Sequence, residues 1–162
     1  MTAPRRAGAG VLDTPFGAVR GILFDIDDTL VDLEFSMTTA LREVSEHLLP
    51  GMDQAGIPYG AVSNNVHDYQ RAKLDGAGLE RVRRLVGTDT LGVAKPDPSI
   101  YLEGVRLLGT GPAETLYVGD NRLLDAEGST AAGLLGVWLN RAGERVQEFR
   151  GNMVSSLGEL IA

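Results

Sequence analysis

Cysteine is absent from this chain of 162 residues, and histidine occurs only twice. The chain therefore cannot form disulfides, a thiolate metal site or a cysteine nucleophile, and it has too few histidines for a histidine-rich metal site. No apolar run approaches the length of a membrane span. No apolar stretch follows Arg5 and Arg6 either, so a secretory signal is not expected. Together these absences predict a cytoplasmic protein.

Basic residues are also in the minority, with 15 Lys and Arg against 22 Asp and Glu and a formal charge of −7. Because phosphate backbones are bound by basic surfaces, nucleic-acid binding is not expected. The hydrophobic content of 43% is ordinary for a soluble globular protein. The length predicts one domain. A leader rich in Gly, Ala, Pro and Arg is expected to be flexible over residues 1–17, followed by a core domain at 18–162.

An acidic cluster stands out near the start of the chain. The apolar run Ile22–Phe24 predicts a buried strand, and Asp25, Asp27 and Asp28 follow it within four residues. In an open parallel sheet, ligands bind at the carboxyl ends of the strands. Clustered carboxylates raise one another's pKa unless a cation neutralises them, and oxygen ligands suit Mg²⁺. The cluster therefore indicates metal-assisted chemistry on an anionic substrate.

Strands alternate with helices along the rest of the chain. The pattern predicts strands over 21–25, 59–62, 85–86, 115–118, 137–139 and 153–154. It predicts helices over 36–49, 66–82, 98–108 and 124–132, and a short one from 156. This alternation is typical of an α/β fold, in which a doubly wound, Rossmann-like parallel sheet lies between two layers of helices.

Four polar motifs follow predicted strands and would converge on one crevice. They are Asp25-Ile26-Asp27-Asp28-Thr29, Ser63-Asn64, Lys95 before Pro96, and Gly119-Asp120 with Asp125. Taken singly, each has a commoner structural interpretation, such as a solvated acidic turn, a helix cap or a surface lysine. Their joint occurrence in this order favours a shared functional site.

The four motifs together resemble those of the haloacid dehalogenase superfamily of aspartate-nucleophile phosphatases, over about residues 21–160. The resemblance implies a phosphomonoester hydrolase acting through an aspartyl-phosphate intermediate. It implies that Asp25 is the nucleophile. Asp27 would be the general acid and base, and Lys95 would neutralise Asp25 and the transferring group.

The resemblance also implies a cofactor and a substrate site. Mg²⁺ would be held by Asp25, the backbone carbonyl of Asp27, Asp120 and Asp125, the last directly or through water. Ser63, the backbone amide of Asn64, Lys95 and Thr29 would form the substrate-binding set, with Thr29 expected to fix the loop by hydrogen bonding.

Many members that this chain resembles insert a cap between the first two motifs. Asp27 and Ser63 are only 36 positions apart, which leaves room for a crossover helix and little else. We therefore expect little or no cap. An open site could accept phosphorylated macromolecules, use a lid from a homo-oligomer partner, or act slowly on small phosphate esters.

Three alternatives remain open from the sequence. A haloacid dehalogenase proper needs the nucleophile but no acid two residues later, so Asp27 argues against it. A phospho-accepting signalling domain carries its acceptor Asp on a later strand. An inactive binding module would keep the sheet without turnover.

Overall fold

The computed structural model describes residues 10–31 and 43–161 of the chain. A short antiparallel hairpin comes first, formed by β1 (Leu12–Thr14) and β2 (Gly17–Val19). Six parallel strands then form the main sheet: β3 (Gly21–Phe24), β4 (Tyr59–Val62), β5 (Arg84–Val86), β6 (Thr115–Gly119), β7 (Leu135–Leu139) and β8 (Asn152–Val154).

The order of the strands across the sheet is β5-β4-β3-β6-β7-β8. The chain runs outward from β3 to β5, returns to β6 on the other side of β3, and continues outward to β8. The crevice between β3 and β6 is thus the point where the winding reverses, which is the usual ligand position in doubly wound sheets. Phe24 pairs with both Ala61 and Val118, so the ends of the three central strands are level.

Helical segments connect the strands. They are a π-helical segment Glu43–Leu48 continuing into α1 (Leu49–Ala55), then α2 (His67–Gly76), α3 (Thr88–Leu91), α4 (Pro98–Leu108), a 3₁₀ turn Pro112–Glu114, a π-helical segment Arg122–Glu127 continuing into α5 (Gly128–Ala131), and a 3₁₀ turn Leu157–Ile161. Among the described residues, no helix has both the length and the apolar character needed to cross a bilayer.

Side chains along the central strands point alternately to the two faces of the sheet, so the core has two parts. Ile22 and Phe24 join a large cluster on one face, which also receives Leu48 and Met52 from the helical segment 43–55. Leu23 points to the other face and packs in a smaller cluster with residues of α4 such as Val105. Successive side chains on a strand alternate between faces, so each face needs its own cover. The predicted three-layer α/β architecture is confirmed.

Two local predictions can be compared with the described residues. The predicted flexible leader 1–17 overlaps the hairpin β1–β2; its residues 1–9 lie outside the described part of the chain. The predicted helix over 36–49 ends before Pro50, but α1 passes through Pro50 and Gly51, because a proline in the first helical turn has no N–H group that needs an acceptor. The helix ends instead at Gly56, in the left-handed conformation that glycine favours.

The first half of the predicted helix over 36–49 falls outside the described residues. The size of any cap between β3 and β4 therefore stays a prediction, as does the division of the chain into a leader and a core domain.

We expect Leu116→Ala to lower the free energy of unfolding by about 2–5 kcal/mol, because it opens a cavity in the larger core cluster, where Leu116 is fully buried. Leu102→Ala on the outer face of α4, where the side chain is 39% exposed, should change that free energy by only about 0.5 kcal/mol. Urea unfolding of both variants checks the comparison. Equal losses would contradict the assigned burial.

Candidate active site

The level ends of the central strands bring the predicted motifs together. Asp25 continues the β3 ladder, with its amide donating to the Val118 carbonyl at 3.0 Å, and Ser63 continues β4, with its amide donating to the Val86 carbonyl at 2.9 Å. A pocket of about 250 Å³ opens at this edge. Its lining residues are Asp25, Asp27, Asp28, Ser63, Asn64, Asn65, Lys95, Asp120, Asn121, Leu124 and Asp125. Seven of the eight predicted site residues therefore line one pocket.

The ammonium group of Lys95 lies at the base of this pocket. Its Nζ is 3.0 Å from Asp25 Oδ1 and 2.8 Å from Asp125 Oδ1, and only 3% of the side chain is exposed. The same nitrogen contacts the Tyr117 hydroxyl at 3.0 Å and the Val62 carbonyl at 3.3 Å. Burial by itself lowers the pKa of Lys95, but the two carboxylates outweigh it and hold the pKa above its usual value. Lys95 is therefore a fixed cation.

Asn64 holds the Lys95 loop in place. Its Oδ1 accepts from the Lys95 backbone amide at 2.6 Å, and its Nδ2 donates to the Lys95 carbonyl at 3.1 Å. Both ends of the side-chain amide are thus used within the protein. The side chain of Asn64 supports Lys95, and only its backbone amide is left for the predicted contact with substrate.

Three carboxylates lie close enough to share a cation. Oxygen atoms of Asp25, Asp120 and Asp125 all fall within 4.8 Å of one another. Burial raises the pKa of Asp25 to about 6, against the opposing effect of Lys95. Burial also raises the pKa values of Asp120 and Asp125. Surplus negative charge in an oxygen-only site fits a hard divalent cation such as Mg²⁺.

Ser63 is oriented as a hydrogen-bond donor. Its Oγ accepts from Gln70 Nε2 at 2.6 Å and from the backbone amide of Asn65 at 3.2 Å. A serine hydroxyl has two lone pairs and one proton. With both lone pairs engaged, the proton is available for an acceptor in the pocket, such as a phosphoryl oxygen.

The side chains of Asp27 and Thr29 both have hydrogen-bond partners within the protein, which their positions in the sequence do not predict. Asp27 Oδ1 is 2.6 Å from Lys73 Nζ, and its Oδ2 accepts from Gln70 Nε2 at 3.2 Å. Thr29 is fully buried, and its hydroxyl donates to Asp25 Oδ2 at 3.4 Å. This buried hydroxyl contacts the predicted nucleophile, and Thr29 is not among the residues that line the pocket. Its place in the substrate-binding set stays a prediction.

Several supporting residues were not predicted as part of the site. Tyr117 and Trp138 lie in the predicted strands 115–118 and 137–139 and were not among the predicted site residues. In the structure, the Tyr117 hydroxyl reaches Lys95, and Trp138 Nε1 donates to the Asp120 carbonyl at 3.0 Å. Arg141 donates to the carbonyls of Asp28 and Thr29 at 2.8 and 3.2 Å. Nothing in the local sequence marks these contacts, because each joins segments distant in the chain.

Comparison with known proteins assigns the family. Residues 49–133 match the model of the haloacid dehalogenase-like hydrolases. The chain belongs to this family. Within this hydrolase family, the chain is 36% identical to a phosphoserine phosphatase of Thermus thermophilus over 60% of its own length and 39% of the relative. It is 33% identical to a glyceraldehyde 3-phosphate phosphatase of Methanopyrus kandleri over 68% of its length and 47% of the relative.

The chain thus spans less than half of the length of these two curated relatives. Its fold matches that of a solved phosphatase of the same superfamily from Thermococcus onnurineus, with a TM-score of 0.65 and 23% identity over 87% of this chain and 95% of the other. The predicted superfamily is confirmed.

We expect Mg²⁺ to raise the melting temperature more at about pH 7.5 than at about pH 5. The pKa of Asp25 rises from 3.8 to about 6 on folding, so the folded protein retains a proton between these values that the unfolded chain loses. Without a cation, stability should therefore fall as the pH rises through this window, and a cation that binds the ionised carboxylates should restore it. Thermal unfolding with MgCl₂ or EDTA measures the effect.

Asp120→Asn provides the matched variant for this experiment, since it removes one carboxylate of the three and should reduce the gain from Mg²⁺. An equal gain at both pH values in the unsubstituted protein would contradict the assignment of the cation to these carboxylates.

Proposed function

We propose that this protein is a Mg²⁺-dependent phosphomonoester hydrolase that acts through an aspartyl-phosphate on Asp25. The observation that carries the proposal is the presence of Asp25 and Asp27 in the same pocket, with Lys95 3.0 Å from Asp25. A dehalogenase would need the nucleophile and the lysine but no second carboxylic acid facing the substrate. The presence of phosphatases among the curated relatives also supports a phosphatase over a dehalogenase.

In the first step, an Asp25 oxygen attacks the phosphorus atom of the ester. A bond forms between this oxygen and phosphorus, and the bond from phosphorus to the alcohol oxygen breaks. Asp27 donates a proton to the departing oxygen, which leaves as an alcohol. The proton of Ser63 and the ammonium of Lys95 stabilise the negative charge on the phosphoryl oxygens.

In the second step, water hydrolyses the aspartyl-phosphate. Asp27, now ionised, accepts a proton from the water as its oxygen attacks phosphorus. The bond between phosphorus and Asp25 breaks, so inorganic phosphate is released and the Asp25 carboxylate is regenerated. One carboxyl group thus serves as acid and then as base, which restores its starting state after each turnover.

Asp25, Asp120 and Asp125, with the backbone carbonyl of Asp27, would hold the metal. Bound there, Mg²⁺ would neutralise charge on the carboxylates and on the transferring group. Both oxygens of Asp125 already have protein donors, since Oδ1 contacts Lys95 and Oδ2 accepts from the Asn121 amide at 2.9 Å. This arrangement favours a supporting contact from Asp125 through water.

The substrate is proposed only as a class, a phosphorylated small molecule or macromolecule. With a reduced cap, little of the protein would contact the leaving group, and water would reach the pocket more freely. A panel of phosphate esters that includes phosphopeptides and nucleotides would separate small from macromolecular substrates.

Asp25→Asn should abolish hydrolysis of p-nitrophenyl phosphate, because the amide lacks the nucleophilic oxygen anion. The unsubstituted protein should turn over this ester with Mg²⁺ and stop in EDTA. Asp13→Asn, on the exposed hairpin and outside the pocket lining, is the matched control and should retain full activity. Undiminished turnover by Asp25→Asn would remove Asp25 as the nucleophile. Phosphorylation by acetyl phosphate that persists for hours would instead favour a signalling domain.

Asp27→Asn should slow turnover by about 10²–10⁴-fold, because the side chain can no longer donate or accept a proton. Both formation and hydrolysis of the aspartyl-phosphate should be slowed, which rapid-quench measurements with a labelled ester can resolve. An unchanged rate for both steps would assign proton transfer to another group.

A further inference from the structure

Helix α2 presents two polar side chains to the predicted acid–base residue. Gln70 and Lys73 are three positions apart and therefore lie on the same side of the helix. Lys73 Nζ is 2.6 Å from Asp27 Oδ1, and Gln70 Nε2 is 3.2 Å from Asp27 Oδ2. The two oxygens of Asp27 are thus held by different residues, and neither residue lines the pocket itself.

The two contacts differ in strength. The contact to Lys73 is short and charge-assisted, and only 18% of the lysine side chain is exposed. The contact from Gln70 is longer and neutral. Asp27 Oδ1 is therefore anchored to the ammonium, whereas Oδ2 is the more weakly held oxygen. In a carboxyl group arranged in this way, Oδ2 is the atom left to exchange a proton with a substrate.

The side-chain amide of Gln70 forms hydrogen bonds through its nitrogen but not through its oxygen. Its side chain is fully buried, and its Oε1 has no hydrogen-bond partner among the described residues. An unpaired buried oxygen costs stability. The reverse orientation of the amide would point Oε1 at the Asp27 carboxylate and would remove the donor to Ser63. The side-chain nitrogen of Gln70 therefore orients Asp27 and Ser63, although its oxygen has no partner among the described residues.

The ring of Tyr69 limits the freedom of Lys73. The ammonium lies 5.0 Å from the ring centroid, within the range of a cation–π interaction. The ammonium of Lys73 thus contacts both the Tyr69 ring and the Asp27 carboxylate. A long, flexible side chain held at both positions can fix the direction of the carboxylate, which positions the proton relative to the leaving group.

We propose that Lys73 is a positioning residue that directs Asp27 toward the leaving-group oxygen of the substrate. Lys73 transfers no proton. Asp27 Oδ2 gives its proton to the departing oxygen and later accepts one from water, while Lys73 keeps Oδ1 in place. This inference rests on the proposed function, since it assumes that Asp27 protonates a phosphate ester.

The test compares two esters that differ in their need for an acid. Phenyl phosphate has a poorer leaving group than p-nitrophenyl phosphate and depends more on proton donation. Lys73→Met retains the length of the side chain but removes the ammonium. We expect kcat for phenyl phosphate to fall by about 10²-fold, with a smaller fall for p-nitrophenyl phosphate and little change in KM. Lys73→Arg should recover part of the loss.

Arg71→Met is the matched control, because it removes one positive charge from the same helix and Arg71 contacts Asp75 and the Val82 carbonyl, not Asp27. It should leave the ratio of the two rates unchanged. In the Asp27→Asn background, Lys73→Met should cause no further loss. An equal slowing of both esters by Lys73→Met, or a further loss in that background, would overturn the inference.

A failure of the proposed function gives a different result, namely no hydrolysis of either ester by the unsubstituted protein. The Lys73–Asp27 pair can still be tested in that case by urea unfolding of Lys73→Met, Asp27→Asn and the double variant. Coupled losses would support the anchoring of Asp27 by Lys73, and additive losses would overturn it.

Discussion

The contact on which the rest of the site depends is the buried ammonium of Lys95 between the carboxylates of Asp25 and Asp125. Taking these charges out of water is costly, and removal of one partner leaves the others uncompensated. The contact therefore couples three segments of the chain that come after different strands. It also requires that Asn64 hold the lysine backbone in place, since a displaced loop would withdraw the cation from both acids.

Around this cation the site keeps more negative than positive charge. Burial is the main cause of the raised pKa values of Asp25, Asp120 and Asp125, and repulsion between the neighbouring carboxylates adds to it. A metal ion would balance the excess negative charge, and the site would then accept an anionic group. A second lysine, Lys73, lies outside the pocket lining and contacts Asp27. Lys95 thus contacts the proposed nucleophile, and Lys73 contacts the proposed acid–base group.

Local sequence patterns predicted some elements closely and others poorly. The helix over 98–108 matches α4, because Pro98 in the first turn and a left-handed Gly109 after the last residue are both local signals. The strand over 59–62 matches β4. The hairpin β1–β2 was missed, since its three-residue strands are too short for a periodic pattern. The passage of α1 through Pro50 was missed because a proline signals a break unless the start of the helix is known.

The sequence by itself determined the chemical groups of the site and their order, because Asp25, Ser63 and Asp120 each directly follow a strand whose apolar residues are adjacent in the chain. It also determined the α/β class, because the alternation of strands and helices is a local pattern. Only the tertiary structure decided that Gln70 and Lys73 face Asp27 and that the Tyr117 hydroxyl reaches Lys95. These contacts join residues 22 to 46 positions apart, and their existence depends on the register of the parallel strands, which no local pattern encodes.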